Sequence, residues 1–193
     1  MDVCKKLQSK QRAMAAEVAR VARRVEEAKE TKHLDLSNCE LRMIPDAIYF
    51  MLKDVELTTC DLSKNSLKKI PPKFCTKFPS ITGIDIQQNL IVSLPDEMKE
   101  LTELTRLDVS NNKLETFPEQ ICDCPKLQLV SLRENRMSDL NITKVQSMPA
   151  LKGLDVQDNP LSPETVSKLA GIDQPSVLFG VSDPAGKELE QLE

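Results

Sequence analysis

The 193-residue chain predicts an α/β solenoid: a curved parallel sheet on the concave side, short helices and turns on the convex side, and an N-terminal capping helix. Three observations predict it. Within LTRLDVSNNKLETFPEQ, Leu104, Leu107, Val109, Asn112 and Leu114 form a template that five other stretches match. Its first position recurs at Thr31, Leu57, Ile81, Leu104, Leu127 and Leu151, each 23 to 26 residues beyond the last, and such a period marks stacked supersecondary units. Residues 1–30, upstream of the repeats, contain neither Gly nor Pro. The expected organisation is a helix over 1–30, a solenoid of six repeats plus a truncated seventh over 31–179, and a disordered acidic tail over 180–193.

Met14, Val18, Val21 and Val25 recur at spacings of four, three and four, which puts them on one stripe of the first helix. Ala13, Ala15, Ala16, Ala19, Ala22 and Ala28 favour the helical state. The first strand of a solenoid leaves its apolar edge bare, so the stripe is expected to cover it. Residues 1–32 also carry nine Lys/Arg against five Asp/Glu, which keeps a membrane-surface or nucleic-acid contact as an alternative role.

Each repeat opens with a short strand. Leu104, Leu107 and Val109 are expected inward, with Thr105, Arg106, Asp108 and Ser110 outward, the alternation of a strand buried on one face. Asn112 falls where the chain must turn, and its counterparts are Asn65, Asn89, Asn135 and Asn159, with Cys39 in the first repeat. A turn buries backbone groups that no strand pairs, and an amide, donor and acceptor at once, satisfies them. These asparagines are therefore expected to form a structural ladder. The return legs begin Ile44-Pro45, Ile70-Pro71, Leu94-Pro95 and Phe117-Pro118; the fifth has Asp139-Leu140-Asn141-Ile142 instead. The first leg, Pro45 to Glu56, is the longest and is expected to hold a fuller helix. Beyond Leu161, residues 163–170 read as a helix with Val166 and Leu169 inward, and 175–179 as an edge strand with Val177 and Phe179 inward.

Composition excludes several functions. No apolar stretch reaches the roughly 20 residues of a membrane span, and the N-terminus lacks a secretory pattern. Cys60, Cys75, Cys124 and Cys39 occupy repeat columns otherwise filled by core residues or the turn Asn, as small buried hydrophobes do. A reducing compartment, cytoplasm or nucleus, is expected. The net charge of −4 disfavours nucleic acid as the main partner. His33, the single histidine, sits outward on the first strand with no expected pocket, and Cys122-Asp123-Cys124 would point its two thiols to opposite sides. No catalytic residue, cofactor or metal site is expected.

The outward strand positions are where function should reside. Their central column reads Asp35, Asp61, Asp85, Asp108, Ser131 and Asp155. Flanking it are Arg106, Leu129, Arg133 and Glu134, with Leu129 the apolar anchor and the two arginines the hot-spot candidates. The competing account is that Asp is simply the commonest residue at this point of the motif, with its charge absorbed by nearby donors.

The motif L-x-x-L-D-L-S-x-N-x-L-x-x-I/L-P, six times in register over about residues 31–162, resembles the intracellular leucine-rich repeat family. The resemblance implies a curved solenoid that binds proteins on its concave sheet and has no catalytic machinery. The expected function is a monomeric, non-enzymatic adaptor gripping a polar or basic partner protein of unknown identity. A regulatory subunit docking on an enzyme such as a phosphatase is the alternative.

Overall fold

The computed structural model describes the backbone of residues 2–172 and 176–178, and the side chains of 15–172 and 176–178. The expectations for Met14 packing, for Phe179 and for the tail over 180–193 lie outside them. A helix, α1 (Asp2–Thr31), leads into strands β1 (His33–Asp35), β2 (Thr59–Asp61), β3 (Gly83–Asp85), β4 (Arg106–Asp108), β5 (Leu129–Ser131), β6 (Gly153–Asp155) and β7 (Ser176–Leu178). All seven form one parallel sheet in sequence order. Register follows the repeat: Leu34, Cys60, Ile84, Leu107, Val130 and Leu154 stand side by side, all within the core.

Convex-side segments α2 (Asp46–Met51), α3 (Pro72–Lys77), α4 (Ile142–Ser147) and α5 (Pro163–Leu169) are α-helical, whereas Asp96–Glu100 and Glu119–Asp123 are 3-10 helices. Coil length explains the difference. The two 3-10 segments belong to the coils starting at Ile81 and Leu104, which are one to three residues shorter than those carrying α2, α3 and α4. A 3-10 turn rises about 2.0 Å per residue against about 1.5 Å, so fewer residues span the same height. The longer first leg does not yield a fuller helix: α2 has six residues, as α3 does, and the surplus forms the turn after it. In α5, Leu169 is buried together with Thr165, and Val166 is half-buried.

The asparagines bridge coils. Asn112 Nδ2 donates to Ile86 O of the preceding coil at 2.9 Å and to Val109 O of its own at 3.1 Å, while Oδ1 accepts from Ile91 N at 2.9 Å. Asn65, Asn89, Asn135 and Asn159 repeat the pattern. A second ladder lies at the start of the strands, where the hydroxyls of Thr58, Thr82 and Thr105 donate to Lys32 O, Thr58 O and Thr82 O.

The residue before each turn asparagine is left-handed. Lys64, Gln88, Asn111, Glu134 and Asp158 have φ of 55°, 53°, 52°, 52° and 56°, with no glycine among them. This conformation costs a non-glycine residue on the order of 1 kcal/mol and a β-branched one more. Gln88→Val is therefore expected to lower stability by about 1–2 kcal/mol in urea denaturation, whereas Gln88→Gly should leave it unchanged or raise it.

Helix α1 caps the first coil through its last turns alone. Val25 and Ala28 are fully buried, but Val18 is 69% exposed, against expectation. Thr31 does not supply an inward strand residue either; it ends α1, and Val25 and Ala28 join the core there. Arg24 completes the cap. Its Nη1 donates to Ser37 O at 2.6 Å and contacts Cys39 Sγ at 3.3 Å. Cys39 replaces the turn asparagine and lacks an amide donor, so a guanidinium from the helix serves the carbonyl that an asparagine serves elsewhere.

Candidate functional site

The outward face of the sheet is a groove of about 610 Å³. One column runs His33, Thr59, Gly83, Arg106, Leu129 and Gly153; the next runs Asp35, Asp61, Asp85, Asp108, Ser131 and Asp155. Neighbouring strands lie about 4.8 Å apart, so successive carboxylates stand side by side. Each carboxylate is anchored by its own turn. Oδ1 accepts the amide two residues on, from Ser37, Ser63, Gln87, Ser110 and Gln157, at 2.8–2.9 Å. That local bond explains why the motif places Asp here.

The second oxygens differ. Asp85 Oδ2 accepts from Gln87 Nε2 at 2.9 Å, whereas among the described residues those of Asp61 and Asp108 accept no hydrogen bond. Burial raises the Asp85 carboxyl above the ordinary range; the Gln87 bonds oppose this, and Asp108 and Asp61 add to it. At the N-terminal end, burial also pushes Asp35 up, but the Ser37 hydroxyl and amide, helped by Arg24, outweigh it and hold the group low. Arg24 Nη1 lies 3.2 Å from Asp35 Oδ1.

Asp155 departs from expectation: it is only 5% exposed and offers no surface to a partner. It stands between Ser131 and Leu178 in register, and burial raises its carboxyl against the opposing pull of the Gln157 amide and Arg133, with Asp158 adding to the rise. Arg133 is likewise engaged, its Nε 3.1 Å from Asp158 Oδ2 and 3.5 Å from Glu134 Oε1. Glu134 in turn accepts from Asn111 Nδ2 at 2.8 Å. Asp61, Asp85, Asp108, Arg106 and Leu129 thus share the part of the groove away from the Arg24 cap and from the buried Asp155, while Asp35, Arg133 and Glu134 take part in ion pairs or hydrogen bonds near its two ends.

Two contributors escaped the sequence reading: Arg24 and the threonine ladder. The available signal for the first was Cys39 itself, a turn position without its amide. Elsewhere, His33 Nδ1 lies 2.6 Å from Thr59 Oγ1 on the exposed end of the groove. Burial pushes the Cys122 thiol up to about 11 and that of Cys124 to about 12, so both stay protonated at neutral pH. No helix among the described residues is long and apolar enough to cross a membrane.

Comparison with known proteins agrees with this geometry. Two family models, both described as leucine rich repeat, match residues 55–114 and 30–51. Leucine-rich repeat-containing protein 20 of Mus musculus is 40% identical over 155 residues, 78% of this chain and 84% of that protein. The Homo sapiens protein of the same name is 36% identical over 95 residues, 47% of this chain and 52% of its own. Among solved structures, a leucine-rich repeat protein of Leptospira interrogans superposes with a TM-score of 0.67 at 27% identity, covering 76% of this chain and 36% of that longer one. The asparagine ladder, the strand register and these similarities converge: the chain belongs to the leucine-rich repeat proteins and is similar to leucine-rich repeat-containing protein 20.

Proposed function

We propose that the chain is a non-enzymatic adaptor that holds a basic or polar segment of a partner protein against its concave sheet. The observation that carries this reading is the row Asp61, Asp85 and Asp108, in register on adjacent strands. Like charges so placed repel one another, and a cationic segment laid across them relieves that repulsion. Arg106 and Leu129 flank the row and add a polar and an apolar contact. The chain contains no Trp, and its one Tyr, Tyr49, lies in the core, so the face lacks the usual aromatic anchors and modest affinity is expected.

The test is affinity purification with mass spectrometry, comparing the intact chain with the triple variant Asp61→Lys, Asp85→Lys, Asp108→Lys. Reversal should abolish capture of the partner. Because each Asp also caps a turn, a triple Asn variant serves as control: it keeps the Oδ1 acceptor, removes the charge, and should weaken binding with the unfolding midpoint unchanged. Capture that survives both variants sinks the proposal, and a stoichiometric catalytic chain among the captured proteins would identify a regulatory subunit. Cation binding favours the ionised carboxylate, so affinity should also fall as pH drops through the carboxylate range. The loss begins at Asp85, whose carboxyl is already raised.

A further inference from the structure

Capping leaves most of helix α1 unexplained. The helix has 30 residues, a length of about 45 Å at 1.5 Å per residue, yet among its described side chains only those from Val21 onward join the core. Val18 lies on the same stripe and is 69% exposed. In sequence the stripe continues to the chain start with alternating spacings of three and four. Cys4, Gln11, Val18 and Val25 share one seam position, and Leu7, Met14, Val21 and Ala28 share the other. That is the heptad of a two-stranded coiled coil, including a single polar residue, Gln11, of the kind that fixes register.

We propose that this seam, from Cys4 to Val21, pairs with that of α1 in a second copy of this chain in an antiparallel, two-fold symmetric coiled coil. This departs from the monomer that the sequence alone suggests. Charge selects both the occupant and its direction. Between Cys4 and Ala22 the positions flanking the seam on one side are Lys10 and Glu17, and those on the other are Gln8, Ala15 and Ala22, all uncharged; the next ones along, Arg24 and Lys29, lie beyond the paired stretch. A parallel pair would set Lys10 and Glu17 opposite uncharged residues. An antiparallel pair sets Lys10 opposite Glu17 of the partner subunit, and symmetry makes the contact twice. The matching layers set Val18 opposite Leu7 of the partner subunit and Cys4 opposite Val21 of the partner subunit. The overlap runs from Cys4 to Val21, about 27 Å. The two solenoids then extend from opposite ends, and Val25, Ala28 and Arg24 remain on their own first coil.

Sedimentation equilibrium of the full chain tests this, with a dimer expected. Val18→Glu should give a monomer whose solenoid melts as before, because the side chain is exposed. Glu17→Lys should weaken the dimer about tenfold by turning two attractive pairs repulsive, and adding Lys10→Glu should restore it. Under oxidation, Val21→Cys should form a disulfide with Cys4 across the dimer, located by peptide mapping. A chain that is still monomeric at about 100 µM overturns the inference, as does a dimer indifferent to Val18→Glu. Loss of the seam's exposure on phosphatidylserine vesicles, with the protein monomeric in solution, would assign the face to a membrane surface instead. A dimer that fails to form the disulfide overturns the antiparallel register.

Discussion

Asn112→Ala should lower the free energy of unfolding by about 3–5 kcal/mol, measured by urea denaturation. The side chain is 7% exposed, and water cannot replace it. Removing it strands the Ile91 amide and the Ile86 carbonyl, which it bonds at 2.9 Å each, besides the Val109 and Ser110 carbonyls. Each buried group left unpaired costs about 1–3 kcal/mol. Asn112→Asp should be no milder, because it keeps the acceptor but turns a charge toward carbonyls that had been receiving a hydrogen bond. Asn65, half-buried at the edge of the array, should tolerate the same change better, since solvent can reach the groups it leaves. A loss below about 1 kcal/mol at Asn112 would mean that the ladder is incidental to stability.

The second large effect is in the convex core. Phe78→Ala should cost about 3–5 kcal/mol, with Phe78→Leu costing appreciably less, as read from thermal or urea unfolding. The Phe78 ring is 2% exposed. It meets Phe74 edge-on, with centroids 5.5 Å apart at 67°, and stacks near Tyr49 at 6.1 Å and 24°. Three aromatic rings thus fill the space between the first and second coils. Later coils place Leu101, Cys124 and Met148 at the Phe78 position, and that is why leucine is the tolerated replacement. Equal losses for Ala and Leu would show that ring stacking, rather than volume, holds this part of the molecule.

Repetition made the architecture legible before any coordinates. Leu107 reports an environment that five other residues report again, and Asn112 one that four others do, so a weak local pattern became a strong global one. What stayed hidden was whatever broke the repeat. Arg24 reaches Ser37 and Cys39 from a helix 13 and 15 residues upstream, a contact no periodicity encodes. The column Asp35 to Asp155 looked uniform because the motif assigns every member the same turn. Its members differ through neighbours on other coils: Arg24 at one end, Arg133 and Asp158 at the other. Val18 illustrates the opposite limit: the sequence pattern runs further along the helix than the last turns that alone suffice to close the first coil. The 3-10 segments were written in the spacing all along, as a shortage of residues in two coils.

The guanidinium that stands in for an amide at Cys39 also constrains how such a molecule can change length. Interior coils present interchangeable upper and lower surfaces, so a whole unit added or deleted among them finds the same hydrogen-bond donors on either side. The first coil is written for a helix and for nothing else: an extra unit inserted ahead of it would meet a thiol where its carbonyls need an amide. Lengthening or shortening of this array, in nature or by design, is therefore directed to its middle.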